Sequence, residues 1–173
     1  DDMLDGTNAG EAEVKGIEFL QSYTANADSS VAIPMFVSAT YTDATLTAPL
    51  SAGGEGDILA ADEPGATIPY VPEWKFSVGA GLSAENWGLS AIGSYRSDMY
   101  ASAKNLEVSN GREGKIDGGF ILDLSAHYKL SDTTRLIGGV HNVLDEVLTV
   151  SRLPDGPRAN APREFYIGFE LQW

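Results

Sequence analysis

The chain has 173 residues, enough for one ordinary domain, and 11 Lys and Arg against 25 Asp and Glu give a formal charge of −14. That balance argues against binding nucleic acid or an anionic lipid surface. There is no cysteine, which excludes a disulfide framework, a thiolate metal site and a cysteine nucleophile. No apolar run approaches the ~18 residues that a membrane helix needs, so any membrane span must be made of strands. The sequence opens at Asp1 with no charged leader and no apolar segment behind it, and reads as a mature chain or, better, as a fragment of a longer one.

A period of two in the apolar residues predicts seven strands. Residues 14–23 place Ile17, Phe19 and Tyr23 on one face and Gly16 and Glu18 on the other. Residues 31–41 align Val31, Ile33, Met35, Val37, Ala39 and Tyr41. Residues 74–82 align Trp74, Phe76, Val78, Ala80 and Leu82, and residues 87–96 align Trp87, Leu89, Ala91, Gly93 and Tyr95. Residues 120–130 align Phe120, Leu122, Leu124, Ala126, Tyr128 and Leu130. Residues 135–143 carry the least clear pattern, because Leu136 and Ile137 cannot both point the same way. The last strand, 165–173, sets Phe165, Ile167, Phe169, Leu171 and Trp173 against Tyr166, Gly168, Glu170 and Gln172.

A soluble protein rarely leaves such an apolar strand face at its end, since an open edge invites aggregation. In a transmembrane barrel the same strand meets lipid outside and a wet lumen inside. The connections support that reading. Residues 24–30, 83–86 and 131–134 are short polar turns, whereas those ending near Pro72, Gly119 and Pro162 are long and rich in polar residues and glycine. Short turns alternating with long loops are the barrel pattern, and a sandwich lacks it. With the last strand ending on the periplasmic side, the long connections fall outside the cell. Trp87, Tyr128 and Trp173 then mark one interface, and Tyr41, Trp74 and Tyr95 the other. The expected fold is therefore all-β, a transmembrane antiparallel β-barrel. Seven strands cannot close one, and the small inward residues Gly79, Gly81, Gly88 and Ser90 suit a wide barrel better than a filled eight-stranded one.

Four segments in order carry a family resemblance. Asn8 to Gly10 followed by Val14-Lys15-Gly16-Ile17-Glu18 is similar to a pattern N-x-G…x-x-G-x-E. Ile68-Pro69-Tyr70-Val71-Pro72 is similar to (I/L)PxxP ahead of a descending strand. Gly139-Val140-His141-Asn142-Val143-Leu144-Asp145 is similar to GxxNLFD, and Pro162-Arg163-Glu164-Phe165-Tyr166-Ile167-Gly168 to PR-x-(F/Y)-x-x-G. Together they resemble the C-terminal third or less of a TonB-dependent outer-membrane receptor of the ferric-siderophore or ferric-citrate type, over nearly all of the chain. The resemblance implies a barrel of about 22 strands, plugged by an N-terminal globular domain with a TonB box before it. Residues 1–173 would supply its last seven strands and last three extracellular loops. Implied partners are the TonB–ExbB–ExbD complex through the absent N-terminal part, outer-membrane lipid and lipopolysaccharide, and a ferric chelate as substrate. The apolar set Phe165, Ile167, Phe169, Leu171 and Trp173 resembles the signal read by the barrel-assembly machinery.

Residue chemistry points the same way. Arg96, Arg112, Arg152 and Arg158 gather at the loop ends of an acidic chain, and guanidinium forks suit an anionic chelate. The competing reading has them neutralise loop carboxylates or bind lipopolysaccharide phosphates. His127 and His141 lie on different strands with no metal-ligand spacing, and no G-x-S-x-G context accompanies the serines. Neither an enzyme nor a cofactor is expected. Acidic loop residues such as Asp43, Glu55, Asp57, Asp62, Glu63, Asp145 and Glu146 either hold Ca²⁺ or form a solvated surface. The alternatives to iron uptake are a small adhesin or structural barrel, and uptake of another nutrient such as an oligosaccharide or cobalamin.

Overall fold

A computed structural model describes residues 10–48, 58–61, 64–109, 111–153 and 156–172. Trp173, Asn8, Glu55, Asp57, Asp62 and Glu63, singled out above, lie outside the described residues. In chain order the strands are β1 (Glu11–Ala25), β2 (Val31–Ala48), β3 (Trp74–Ala84), β4 (Trp87–Arg96), β5 (Met99–Tyr100), β6 (Lys115–Ile116), β7 (Gly119–Lys129), β8 (Thr134–His141), β9 (Thr149–Ser151), β10 (Arg158–Ala159) and β11 (Glu164–Leu171). Seven of them form one antiparallel sheet in the order β1-β2-β3-β4-β7-β8-β11. These are the seven strands that the alternation predicts, each paired with the next one along the chain. The sheet is open, with β1 and β11 at its edges. Two small ribbons, β5–β6 and β9–β10, lie within long connections. No helix among the described residues is long and apolar enough to cross a membrane.

Register assigns the faces, because residues directly opposite share one. Ala39, Phe76, Tyr95 and Phe120 form one apolar row, and Met35, Ala80, Ala91, Leu124, Val140 and Phe165 another. Nearer the short turns, Trp87, Tyr128, Leu136 and Phe169 continue the face. Leu136 thus joins the apolar side, while Ile137 sits opposite His127 and Gly168 on the polar side. Nothing among the described residues covers the apolar face: Phe165 and Ile167 are 76% and 78% exposed. A water-soluble domain buries such a face against a second layer, whereas a barrel wall turns it to lipid. At the long-connection end Tyr41, Trp74, Phe76 and Tyr95 stand ring to ring, with centroids 4.9, 5.3 and 6.1 Å apart in that order.

Three strand limits differ from the alternation. β1 begins at Glu11 and β2 continues to Ala48, so the hairpin rises beyond the rest of the sheet. There Ala44 and Leu46 are buried, and Leu46 exchanges backbone hydrogen bonds with Ala66 and Gly65 of the following connection. β8 stops at His141 because Asn142 takes φ 50°, which no strand residue adopts. Asn142 is 3% exposed; its amide donates to the Glu146 and Ala161 carbonyls and its oxygen accepts from Glu146 N–H. Asn142 thus caps the turn that leaves the sheet. Pro69 and Pro72 lie buried in the connection ahead of β3, where their missing N–H groups take nothing from the ladder.

Candidate functional site

The long connections are packed together, and this is where buried side chains concentrate. Met99, Ala101 and Ile116 form a small core in the β5–β6 hairpin, with the Tyr70 ring against it. Tyr70 has φ 61°, a left-handed backbone that a bulky side chain rarely adopts. The surroundings hold it there. Its N–H donates to the Tyr100 carbonyl at 2.9 Å, and its hydroxyl accepts from the Arg152 N–H at 3.2 Å. Asn105, also left-handed at φ 48°, accepts from Thr67 N–H at 2.7 Å and donates to the Thr67 carbonyl at 3.2 Å. Ala103 N–H reaches the Ile58 carbonyl at 2.7 Å. The three connections therefore form one knitted platform above the sheet.

Two of the four arginines singled out by sequence are part of that knitting. The Arg96 guanidinium donates to the Thr149 carbonyl at 2.6 Å, tying β4 to β9. Arg152 donates to the Gly111 and Lys115 carbonyls at 3.5 and 3.2 Å, tying β9 to the β5–β6 hairpin. Arg112, in the same hairpin, and Arg158, on β10, are exposed. The four share one end of the sheet. Arg163 pairs with Asp145 at 3.4 Å and donates to the Val143 carbonyl, which fixes the approach to β11.

The hairpin surface carries a charged cluster. Tyr100 hydroxyl donates to Glu107 at 2.5 Å, and Lys115 lies 2.6 Å from Asp98 and 3.4 Å from Glu107. The Tyr100 hydrogen bond, then the Lys115 charge, hold the Glu107 carboxyl below its ordinary value. The same hydrogen bond raises the Tyr100 phenol, and Asp98 holds the Lys115 ammonium well above its usual range. Among the described residues no group of His, Asp and Glu converges as a metal site would require.

The polar face runs down from this platform. His141 lies 3.6 Å from Asp123 and stacks on Tyr166 at 5.0 Å, with Glu164 opposite it. Below come hydroxyl pairs, Ser77 with Ser94 at 3.4 Å and Ser90 with Ser125 at 2.6 Å. At the short-turn rim Arg135 meets Glu170 at 3.3 Å and Lys129 meets Asp132 at 3.0 Å. His127 faces this side, as the alternation predicts, and lies over Gly88. The sequence reading missed Tyr70 and Asn105 as organisers. Their only local signal is a tyrosine between two prolines and an asparagine in a polar loop.

A single antiparallel sheet, apolar on one face and polar on the other, with short turns at one end and packed long connections at the other, is a segment of transmembrane β-barrel wall. The chain belongs to the TonB-dependent receptor-like β-barrel family, whose model matches residues 3–143. That places it in the bacterial outer membrane, in a family of receptor barrels. Its fold is similar to the unliganded ferric citrate transporter FecA, with TM-score 0.76 at 22% identity over 94% of this chain and 24% of that one. It is also similar to the siderophore receptor PiuA from Acinetobacter baumannii, with TM-score 0.72 at 17% identity over 94% and 22%. The ferric-catecholate import receptor Fiu of E. coli K12 follows, with TM-score 0.53 at 12% identity over 92% and 27%. The chain thus spans about a quarter of the length of these solved structures. No curated protein sequence matches it.

Proposed function

We propose that residues 1–173 are the C-terminal wall of an outer-membrane receptor that takes up a ferric chelate, drawing energy from the TonB–ExbB–ExbD complex through parts of the protein outside this chain. The family match over residues 3–143 carries this reading. Coverage of about a quarter of each large neighbour supports seven strands of a barrel of about 22 over a small closed barrel. The names of those neighbours, a ferric citrate transporter and a siderophore receptor, support iron in an anionic chelate as the cargo. On this reading the long connections face outward, and the sheet's polar face lines the lumen.

Arg112 and Arg158 would present guanidinium forks to the chelate, while Arg96 and Arg152 hold the connections that carry them and add positive charge at the lumen mouth. Neutralisation of nearby carboxylates or of lipopolysaccharide phosphates is the competing use of the exposed pair. The terminal set Phe165, Ile167, Phe169, Leu171 and Trp173 would be read by the barrel-assembly machinery before any transport occurs. Growth and uptake under iron limitation in a strain lacking the gene test the reading. Loss of ferric citrate or siderophore uptake is expected. Unchanged iron uptake with loss of another nutrient would overturn the iron assignment and leave the fold intact.

A further inference from the structure

Three rings on the polar face pack against the wall, each over the glycine directly opposite on the neighbouring strand. Phe36 of β2 covers Gly79 of β3, His127 of β7 covers Gly88 of β4, and Tyr166 of β11 covers Gly139 of β8. The fit depends on the missing side chain. A Cβ at Gly79 would stand 2.1 Å from Phe36 Cε1, and one at Gly88 would stand 2.4 Å from His127 Cε1. At both positions the three nearest atoms belong to the ring. Gly139 differs, since a Cβ there also meets the Leu124 carbonyl at 2.4 Å, and the sheet alone requires a glycine. With any side chain at 79 or 88 the ring must shift, and on the polar face a shift away from the strand is a shift toward the lumen.

Around the His127 and Tyr166 rings the wall carries small hydroxyls and no formal charge, whereas the Phe36 row runs through Gly79 and Ile92 to Asp123. The row Gly81, Ser90, Ser125, Gly139 and Tyr166 and the row Ser83, Gly88, His127, Ile137 and Gly168 contain no Asp, Glu, Lys or Arg. Polar pairs bound the band on either side, the Asp123 carboxylate with the His141 imidazole toward the long connections and the Arg135–Glu170 ion pair at the short-turn rim. A flush, low-charge strip of ring faces and hydroxyls neither clamps an anionic solute electrostatically nor narrows its way.

We propose that Gly79 and Gly88 are clearance positions: they recess Phe36 and His127 into the wall so that a bulky anionic chelate passes along this side of the lumen. The proposal rests on the uptake reading and assigns residues to the passage step rather than to capture. Glycine–aromatic pairing also steadies a sheet, since a ring across the strand shields the bare backbone. The two roles predict opposite outcomes for a paired substitution. Raising the ring obstructs, and deleting the raised ring removes the obstruction, whereas a ring that props the sheet is missed all the more when it is deleted.

The test uses the full-length receptor in its own outer membrane, with ⁵⁵Fe supplied as ferric citrate and as ferric siderophore. Gly79→Ala and Gly88→Ala should lower the energised uptake rate about fivefold while binding to de-energised cells stays within about twofold, a defect in passage and not in affinity. Phe36→Ala/Gly79→Ala and His127→Ala/Gly88→Ala should recover most of the parent rate. Heat-modifiable mobility of each variant reports that the barrel is assembled. Uptake unchanged in the assembled single variants, or worse in the paired variants than in the singles, would overturn the proposal. A parent receptor that takes up neither ferric citrate nor a ferric siderophore would overturn the reading beneath it, and this inference with it.

Discussion

The Tyr70 hydroxyl accepts a hydrogen bond from the Arg152 backbone N–H at 3.2 Å across 82 positions of sequence, and that bond joins the first long connection to the last. The Arg152 guanidinium completes the junction by reaching two carbonyls of the middle connection. Tyr70→Phe keeps the ring in its core and removes one hydrogen bond, at a cost of about 1 kcal/mol. Arg152→Ala unties the middle connection as well. Both variants should speed limited proteolysis within the connections, Arg152→Ala more, with unchanged heat-modifiable mobility of the barrel. Equal protease resistance in parent and Arg152→Ala would show that the connections do not depend on this junction.

Asn142 provides a second test of local structure, where β8 gives way to the last connection. Its side chain makes three hydrogen bonds to backbone groups, and its own N–H donates to Asp123 at 2.8 Å. Asn142→Ala strands buried backbone groups and should cost about 2 kcal/mol. Asn142→Gly tolerates the positive φ yet loses the same bonds, so it should recover only part of the loss. Urea unfolding of the refolded full-length receptor, followed by tryptophan fluorescence, measures both. A larger defect in the glycine variant than in the alanine variant would contradict the account.

The charged cluster on the β5–β6 hairpin fixes a pH dependence with a definite sign. Glu107 has its carboxyl held below the ordinary 4.5, so its contribution is complete above that value and fades as pH falls through the lower, folded-state value. Lys115 is held above the ordinary 10.5, so its contribution is complete below that value and fades as pH rises beyond it. Proteolysis of the hairpin should therefore be flat from about pH 6 to 9 and quicken in acid below about pH 4. Glu107→Gln should remove the acid limb. A midpoint near neutrality would assign the effect to another group.

Deletion from Phe165 onward removes β11, which pairs with β8 from Glu164 to Leu171, and bares the β8 edge within the membrane. Assembly should fail before transport can be measured, with the truncated protein absent from the heat-modifiable outer-membrane fraction. Normal assembly of the truncated chain would show that neither the strand nor its apolar face is needed for insertion.

The sheet was legible in the sequence because one physical rule governs every residue in it. Lipid on one side and water on the other force a period of two, and Trp74 to Leu82 or Phe165 to Leu171 follow it almost without exception. The pattern failed where that rule stops acting. Residues 42–48 remain in β2 because β1 and the connection pair with them, with Ala44 and Leu46 buried between polar neighbours. Leu136 and Ile137 conflict in sequence and separate once β7 and β11 fix the register. The platform was legible only in composition. Arginines at loop ends are visible as residues, but the backbone carbonyls that engage Arg96 and Arg152 lie dozens of positions away. Tyr70 gains its role from partners in two other connections, and no spacing rule links them.

The central claim is energised uptake of a ferric chelate, and the most direct measurement is accumulation of ⁵⁵Fe, supplied as ferric citrate and as ferric siderophore, by cells carrying the full-length receptor, with and without TonB. The account predicts accumulation that requires both the receptor and TonB and that falls about tenfold when Arg112 and Arg158 are both replaced by Ala. Accumulation that persists without TonB, or that is the same in cells lacking the receptor, would contradict it.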